Sequence, residues 1–323
     1  MPALVTNGSS FVVSESFDFK VETPNSTLIL SVSHPGHLKK YAENLQTFHC
    51  YQQLHPNIVF WAVPSTHTAF DKDCGSVNQM FKRHCVVASI LERNKGLIDL
   101  ALHVDSDIAV VNLKAPSNFE RFLPSGRDLA LHNRFHNNEV TASSYLVRNT
   151  DFSRKFLREW ASMYKFPANA DNGALHALLL KRMGLETCPT QGDYTVFLLC
   201  FQRRVQQSKC QSDFFRKAVV WGLGDSWEYD GWVLMYAWNQ NHSFMHHAMK
   251  VPPIKEKNGR LAPTLPCDGA TTNHTDSYML DTEAFRKKLH VRVNFTRGVL
   301  RKAGFPLRSC LWTRANSSII PPP

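Results

Sequence analysis

The first hundred residues of the chain alternate between β-prone runs and helical segments. Residues 27–33 and 57–63 have the apolar, β-branched composition of buried strands. The segment 37–54 between them has apolar residues three and four positions apart, which is typical of an amphipathic helix. A second helix is predicted over about 76–93, and a third strand ends at Asp105. Strands that alternate with helices form a parallel sheet with helical crossovers, so the sequence predicts an α/β fold.

The third strand is part of the run 97–112, in which apolar residues are interrupted by Asp105-Ser106-Asp107. Two carboxylates at this spacing can converge on one hard cation such as Mg²⁺ or Mn²⁺. The alternative is that the aspartates only end a strand or cap a helix, as they do in many α/β proteins. In an open α/β sheet, however, ligands bind beyond the carboxyl ends of the strands, which is where Asp105 and Asp107 fall. The position therefore favours a metal site.

Further strands and helices are predicted downstream of this run. A helix is expected from Asp151, a candidate N-cap, and another from Asp171 after a break at 167–170. A carboxylate at a helix N-terminus is ordinarily a cap, but Asn172 and Gly173 beside it leave room for a ligand near the backbone. The other predicted elements are strands over 128–132, 139–148, 217–223 and 244–249 and a helix over 195–204.

Composition gives conflicting indications of the compartment. The chain has 323 residues, 43% of them hydrophobic, and is an ordinary globular protein. No apolar run approaches the roughly 18 residues that span a bilayer. The N-terminal segment lacks the basic and apolar regions of a secretory signal, which taken literally predicts a cytoplasmic protein. Eight cysteines and several Asn-X-Ser/Thr acceptor sites favour a lumenal protein instead. The acceptor sites are Asn7, Asn25, Asn241, Asn273, Asn294 and Asn316.

The cysteines and the net charge limit the kinds of site and partner that the sequence predicts. No C-x-x-C pair is present, so a zinc cluster is not indicated, and the even number permits up to four disulfides of open connectivity. The alternative for Cys85, which lies in a helical pattern, is a small buried hydrophobe. The net charge of +10 is partly concentrated over 281–314. This basic region suits an anionic partner or a solvated face, and without interleaved aromatic residues no nucleic-acid partner is expected.

The order of several motifs resembles a known family. The motifs are FKRHC, VDSD, the long segment HNRFHNNEVTASSYLVRNTDFSRKFLREWA, DNGALH and FMHHAMK, spread over roughly 27–250. They resemble a nematode-rich family of largely uncharacterised nucleotide-diphospho-sugar transferases, related to the galactosyl- and xylosyltransferases of fungi and plants. The resemblance implies a GT-A fold, a Rossmann-like mixed sheet flanked by helices, in one continuous domain over 27–251. A polar leader over 1–26 and a basic, proline-containing appendage over 252–323 would flank it.

The resemblance implies a metal site in this domain. Asp105 and Asp107 match the metal-binding Asp-X-Asp motif, and His247 matches a histidine that completes the site. Two carboxylates and a neutral imidazole suit Mn²⁺, with Mg²⁺ as the alternative. His242 and His246, in the same histidine-rich run, are the alternatives to His247.

Other matched residues are expected to bind the substrates. Lys250 matches a lysine that pairs with diphosphate, and Arg83 matches a basic residue that reaches the donor, although a solvated helix face is its alternative. Asp171 and Asn172 match an acid-amide pair that faces the donor sugar. Glu139 and Ser144 lie in the segment that lines the acceptor side.

The activity implied is metal-dependent transfer of a hexose or pentose from a UDP- or GDP-sugar to a glycan or glycoprotein. The expected compartment is the Golgi lumen, with membrane contact only through an N-terminal anchor. Retention of configuration is expected, with Asp171 orienting the donor; an inverting enzyme would need Glu139 or Asp171 as general base. The chain departs from the family pattern at Ser143, at Ala248 and at Asn169-Ala170. These departures leave open an inactive sugar-nucleotide or glycan-binding module of the same fold.

Overall fold

The computed structural model describes residues 17–21, 26–75, 78–110, 112–134, 139–190, 193–208, 212–222, 226–229 and 244–247. These residues form nine strands. In chain order they are β1 (Ser26–Ser33), β2 (Ile58–Pro64), β3 (Ile98–Val104), β4 (Ala109–Val110), β5 (Leu129–His132), β6 (Ser144–Arg148), β7 (Ala218–Trp221), β8 (Glu228–Tyr229) and β9 (Met245–His246).

Six of these strands form a mixed sheet in the order β2-β1-β3-β6-β5-β7. β1 pairs in parallel with both β2 and β3, as the strand-helix alternation predicts. β6 runs antiparallel to its neighbours β3 and β5, with Leu102 opposite Leu146, and β5 is parallel to β7. The α/β fold class with a mixed sheet is therefore confirmed.

The helices flank this sheet. They are α1 (Pro35–Lys40), α2 (Ala42–Leu54), α3 (Asp71–Cys74), α4 (Gln79–Arg93), α5 (Asp151–Ser162), α6 (Ala170–Arg182), α7 (Tyr194–Gln207) and α8 (Phe214–Lys217). The prediction of a single helix over 37–54 is wrong, because the chain there forms two helices, α1 and α2, separated at Tyr41. Pro35 lies at the start of α1, where its missing N–H costs no hydrogen bond.

Two apolar layers cover the two faces of the main sheet. On one face α4, α5 and α6 bury residues such as Ile90, Trp160 and Leu178 against the strands. On the other face lie Phe48 and Tyr51 of α2. Because both faces are covered, the strands are continuous apolar runs rather than alternating ones.

A second, small sheet has the order β4-β9-β8 and lies next to the end of β3. β9 is antiparallel to β4, with His246 opposite Ala109, and parallel to β8, with Met245 opposite Glu228. The strand predicted over 244–249 is thus present in shorter form. Strand pairing in this sheet determines which residues near β9 lie close to Asp105 and Asp107.

Disulfides join Cys74 to Cys85 and Cys188 to Cys200. The interpretation of Cys85 as a lone buried hydrophobe is therefore wrong. Its bond ties α3 to α4, the helix that carries Arg83. None of the helices in the described ranges has the length and hydropathy that a membrane crossing requires.

Candidate metal centre

Asp105, Asp107 and His247 lie together at the junction of the two sheets. The two aspartates occupy the turn between β3 and β4, and His247 directly follows β9, the partner of β4. One ligand atom from each residue lies within 4.8 Å of the other two. His247 Nε2 is 3.5 Å from Asp107 Oδ1. Two carboxylates and an imidazole on one side of a turn form a donor set that fits Mn²⁺ or Mg²⁺.

The histidine of this group is His247 and not its neighbour His246. His246 lies within β9 and is buried, and burial lowers its pKa to about 3. Adjacent side chains of a strand point to opposite faces, so the register of β9 determines which histidine meets Asp107. His242 lies outside the described residues.

Glu228 is a fully buried carboxylate behind His247, and the sequence did not single it out. Its Oε1 accepts a hydrogen bond from the Ser143 hydroxyl at 2.8 Å and lies 3.5 Å from His247 Nδ1. Its Oε2 accepts a hydrogen bond from Ser144 and lies 3.5 Å from His132 Nε2. Burial alone would raise the pKa of Glu228, but His132, His247 and Ser144 hold it below its usual value. The only sequence signal was an acid placed between two aromatic residues.

Arg83 joins the candidate metal centre to Asp171. One guanidinium nitrogen pairs with Asp105, and the other donates to Asp171 Oδ2 at 2.5 Å. Arg83 is 8% exposed, so the solvated-face interpretation is wrong. Burial and the neighbouring Asp107 raise the pKa of Asp105, against the opposing effect of Arg83. Removing the guanidinium would leave two acids in a poorly solvated site.

Asp171 turns inward instead of capping its helix. It is the second residue of α6 and is fully buried. Its Oδ2 accepts hydrogen bonds from Arg83 and from His84 Nε2, the latter at 3.2 Å. Burial would raise its pKa, but Arg83 and His84 lower it to about 2. Its Oδ1 is buried and has no hydrogen-bond partner among the described residues.

Two aromatic side chains fix the position of His84, a residue that sequence reasoning missed although it lies beside Arg83 in the chain. The His84 ring stacks on Trp160 with centroids 3.6 Å apart. Its Nδ1 is 3.1 Å from the Tyr145 hydroxyl. The Trp160 indole also donates to the Asp171 carbonyl at 2.9 Å. The backbone and the side chain of Asp171 are therefore held by the same cluster.

The backbone before Asp171 has an unusual conformation. Asn169 and Ala170 both have φ of 48°, in the left-handed region that asparagine tolerates better than alanine. A Cβ on Gly173 would lie 1.8 Å from the Ala168 carbonyl oxygen. The glycine of the DNG motif is therefore required by the close approach of the chain at 168.

Gly173→Ala is expected to lower the free energy of unfolding by about 2 kcal/mol, because the added methyl overlaps backbone that cannot move without shifting Asp171. Urea unfolding measures this change. The matched control is Gly36→Ala, whose Cβ would meet only the His34 side chain at 3.1 Å, and it should cost less. Equal effects of the two substitutions would contradict the prediction.

Glu139 belongs to a separate cluster. Its Oε1 accepts from the Tyr194 hydroxyl at 2.6 Å and from Asn169 at 3.2 Å, and its Oε2 accepts from Arg134 at 3.4 Å. Tyr194 also contacts His176 Nδ1 at 3.2 Å. The structure does not bring Glu139 into the group around Asp105, and as a catalytic residue it stays a prediction.

The other residues that were predicted to bind substrates lie in different parts of the structure. Ser144 is fully buried and bonded to Glu228. Asn172 Oδ1 accepts a hydrogen bond from the Ala142 amide at 2.7 Å, which ties α6 to the segment before β6. Their roles in substrate binding stay predictions. Lys250 and Ala248 lie outside the described residues.

A cavity of about 400 Å³ opens on the candidate metal centre. It lies beyond the carboxyl ends of β1 and β3, where ligands of open α/β sheets bind. Its lining combines the Asp105-Ser106-Asp107 turn with side chains in or next to α1 and at the start of α4. The main members are His34, His37, Lys40, Tyr41, Gln79, Met80 and Arg83.

Acidification is expected to destabilise the fold. Burial lowers the pKa of His84 and of His176 to about 4 and that of His103 well below its usual value. Below about pH 6.5 the unfolded chain takes up protons that these folded histidines do not, so the free energy of unfolding falls. Each of these three histidines should lower the free energy of unfolding by about 1 kcal/mol between pH 7.5 and 5.5. The raised pKa of Asp105 acts in the opposite direction, but it is one group against these three, and the lowered pKa of His246 adds to their effect.

Urea unfolding at pH 7.5, 6.5 and 5.5 tests this expectation. The free energy of unfolding should fall by about 2 kcal/mol or more over that range. A flat profile would mean that the three histidines are protonated in the folded protein.

Comparison with known proteins gives fold neighbours and a family. No curated protein matches the chain by sequence. Among solved structures it is similar to a glycosyltransferase involved in glycosylation of the major capsid of PBCV-1, at 11% identity, over 78% of this chain and 99% of that one, with a TM-score of 0.47. It is also similar to mouse xyloside xylosyltransferase 1, at 9% identity, over 72% of this chain and 100% of that one, with a TM-score of 0.37.

A third similar structure is a mutant Drosophila β-galactosyltransferase 7 in complex with manganese, UDP-galactose and xylobiose, at 13% identity, over 53% of this chain and 68% of that one, with a TM-score of 0.30. Likeness at these levels establishes no shared activity. A family model described only as a protein of unknown function, DUF273, matches residues 48–261. Because this match spans more than half of the sequence, the chain belongs to the DUF273 family.

Proposed function

We propose that the chain is a metal-dependent glycosyltransferase of the GT-A type, which moves a sugar from a UDP- or GDP-sugar to a glycan or glycoprotein acceptor. The observation that carries the proposal is the convergence of Asp105, Asp107 and His247, the two aspartates of which line a cavity. The cavity also contains Arg83 and lies at the carboxyl ends of parallel strands, the usual ligand position in an α/β sheet.

The donor is proposed to bind in this cavity. A volume of about 400 Å³ lies within the range of small-molecule sites. Lys40 and Arg83 supply positive charge for a diphosphate, and the rings of His37 and Tyr41 offer apolar faces to a base. Lys250 is proposed to pair with the same diphosphate.

Asp105, Asp107 and His247 would hold Mn²⁺ or Mg²⁺. When bound, the ion supplies positive charge that neutralises the diphosphate leaving group. Arg83 keeps Asp105 close to this position and at the same time connects it to Asp171. The chain thus couples the phosphate end of the donor pocket to a carboxylate further inside.

Asp171 is proposed to orient the donor sugar. Its low pKa keeps it ionised at neutral pH. Its buried Oδ1 has no hydrogen-bond partner among the described residues and is proposed to accept one from a sugar hydroxyl. A fixed negative charge near the sugar stabilises the positive charge that develops at the anomeric carbon during transfer. Both oxygens of Glu139 already accept hydrogen bonds from side chains, which favours a retaining reaction without a dedicated general base.

The proposed compartment is the lumen of the secretory pathway. Disulfides persist in oxidising compartments, and two link cysteines of the described domain. The proposed acceptors, glycans and glycoproteins, are assembled in the same compartment.

Isothermal titration of UDP and of GDP into the full chain, with and without Mn²⁺, tests the function. One nucleotide should bind only with the metal, and its sugar conjugates should then be turned over, as followed by mass spectrometry of the released nucleotide. Binding without turnover would instead identify a catalytically inactive sugar-nucleotide-binding module. Absence of binding by either nucleotide would overturn the proposed function.

A further inference from the structure

The imidazole of His247 lies between two acids, and each ring nitrogen faces a different one. Nε2 is 3.5 Å from Asp107 Oδ1, on the side of the candidate metal centre. Nδ1 is 3.5 Å from Glu228 Oε1, on the opposite side. Glu228 is fully buried, and an ionised carboxylate is costly to bury unless hydrogen bonds or positive charges compensate it.

The hydrogen bonds to Glu228 come from two serines at the start of β6. Ser143 donates to Oε1 and Ser144 to Oε2. The Trp227 indole donates to the Ser144 hydroxyl at 2.9 Å, which occupies that oxygen and directs its proton toward Glu228. His132 Nε2 lies 3.5 Å from Oε2. The carboxylate is therefore fixed in place as an acceptor, with Oε1 directed toward His247.

Backbone pairing also fixes the distance between Glu228 and His247. Glu228 lies on β8 opposite Met245 of β9, and His247 directly follows β9. β9 is paired on its other side with β4, which follows Asp107. Three hydrogen-bonded strands therefore hold Glu228 next to the strand that His247 follows, and hold that strand next to the one that Asp107 precedes.

We propose that Glu228 is a positioning residue of the metal centre, whose negative charge 3.5 Å from Nδ1 keeps the proton of His247 on that nitrogen and so presents the Nε2 lone pair to the metal. A histidine ligand must leave one nitrogen unprotonated, and a carboxylate behind it fixes both tautomer and ring orientation. The inference deepens the proposed function and rests on its metal-dependent part. Glu228 itself does not contact the substrate.

The first test is Mn²⁺ affinity, measured as the electron paramagnetic resonance signal of free Mn²⁺ in titrations of the full chain. Glu228→Gln is expected to weaken Mn²⁺ binding by about 10- to 100-fold, because the amide no longer enforces the Nδ1-protonated tautomer. The matched control is Asp128→Asn, which removes another buried carboxylate, one paired with Lys217 at 3.1 Å at the far end of β5 from His132. The control should bind Mn²⁺ like the unmodified protein.

The second test needs no change at Glu228 and so remains decisive if Glu228→Gln does not fold. The ring nitrogens of His247 are observed by ¹⁵N NMR of the metal-free, histidine-labelled protein at pH 7.5, and assigned by the signals missing in His247→Gln. Nδ1 should be protonated and Nε2 unprotonated. The opposite tautomer would overturn the inference.

The outcomes separate this inference from the proposed function. If the unmodified protein binds Mn²⁺ and a folded Glu228→Gln binds it equally well, the inference fails and the function stands. If the unmodified protein binds no Mn²⁺, the metal-dependent function fails and the role of Glu228 fails with it. Weaker binding in Glu228→Gln together with the expected tautomer supports both.

Discussion

Asp107→Asn is expected to reduce sugar transfer by about 10³-fold or more, a loss equivalent to about 4 kcal/mol of transition-state stabilisation. Asp107 is buried and faces both Asp105 and His247. The asparagine amide would be a weaker metal ligand than the carboxylate. The departing diphosphate would then lose the positive charge of the metal that neutralises it. Initial rates at saturating Mn²⁺, with nucleotide release as the signal, measure the effect.

Asp99→Asn is the matched control for this substitution. Asp99 is an exposed acid of β3, the strand that leads to Asp105. The Asp99→Asn variant should retain full activity and the same dependence on Mn²⁺ as the unmodified protein. Near-normal, Mn²⁺-dependent rates in Asp107→Asn would remove this residue from the metal centre.

Arg83→Met is expected to lower the free energy of unfolding by about 3–5 kcal/mol and to abolish activity, because it leaves Asp105 and Asp171 without their shared counter-ion. The pKa of Asp171 would rise, because the charge that chiefly opposes its burial is lost. The stability difference from the unmodified protein should therefore narrow as the pH falls and Asp171 becomes protonated. Urea unfolding at pH 7.5 and pH 5.5 measures both effects.

Arg93→Met, on the same helix, is the control. Arg93 pairs with Asp73 at 3.3 Å, and both side chains are 37% exposed, so its loss should cost less than about 1 kcal/mol. If the two substitutions had equal effects, the pair of acids beside Arg83 would be well solvated, contrary to the structure.

The sequence by itself determined the local features. Apolar runs and helical spacing located the strands of the parallel part of the sheet, and the interruption of the run at 97–112 located Asp105 and Asp107 at the end of β3. These predictions succeed because they depend on residues that are close together in the chain. The helix predicted over 37–54 failed at Tyr41 because periodicity does not show where a helix is interrupted.

Burial of Arg83 was decided only by the tertiary structure. The helical pattern of α4 identifies an apolar face, but its side chains are buried continuously from Phe81 to Leu91. The opposite face of the helix is covered as well, which turns a side chain expected in solvent into the link between Asp105 and Asp171. Nothing in the spacing of residues reveals a second covered face.

The role of Glu228 likewise follows from pairing between distant segments. Glu228 reaches Ser143 and Ser144 across 85 and 84 positions of the chain. The register of β9 against β4 and β8 also selects His247 over His246. Sequence patterns report local propensity, whereas contacts over such separations depend on which strands pair and in which register, and only the folded chain decides that.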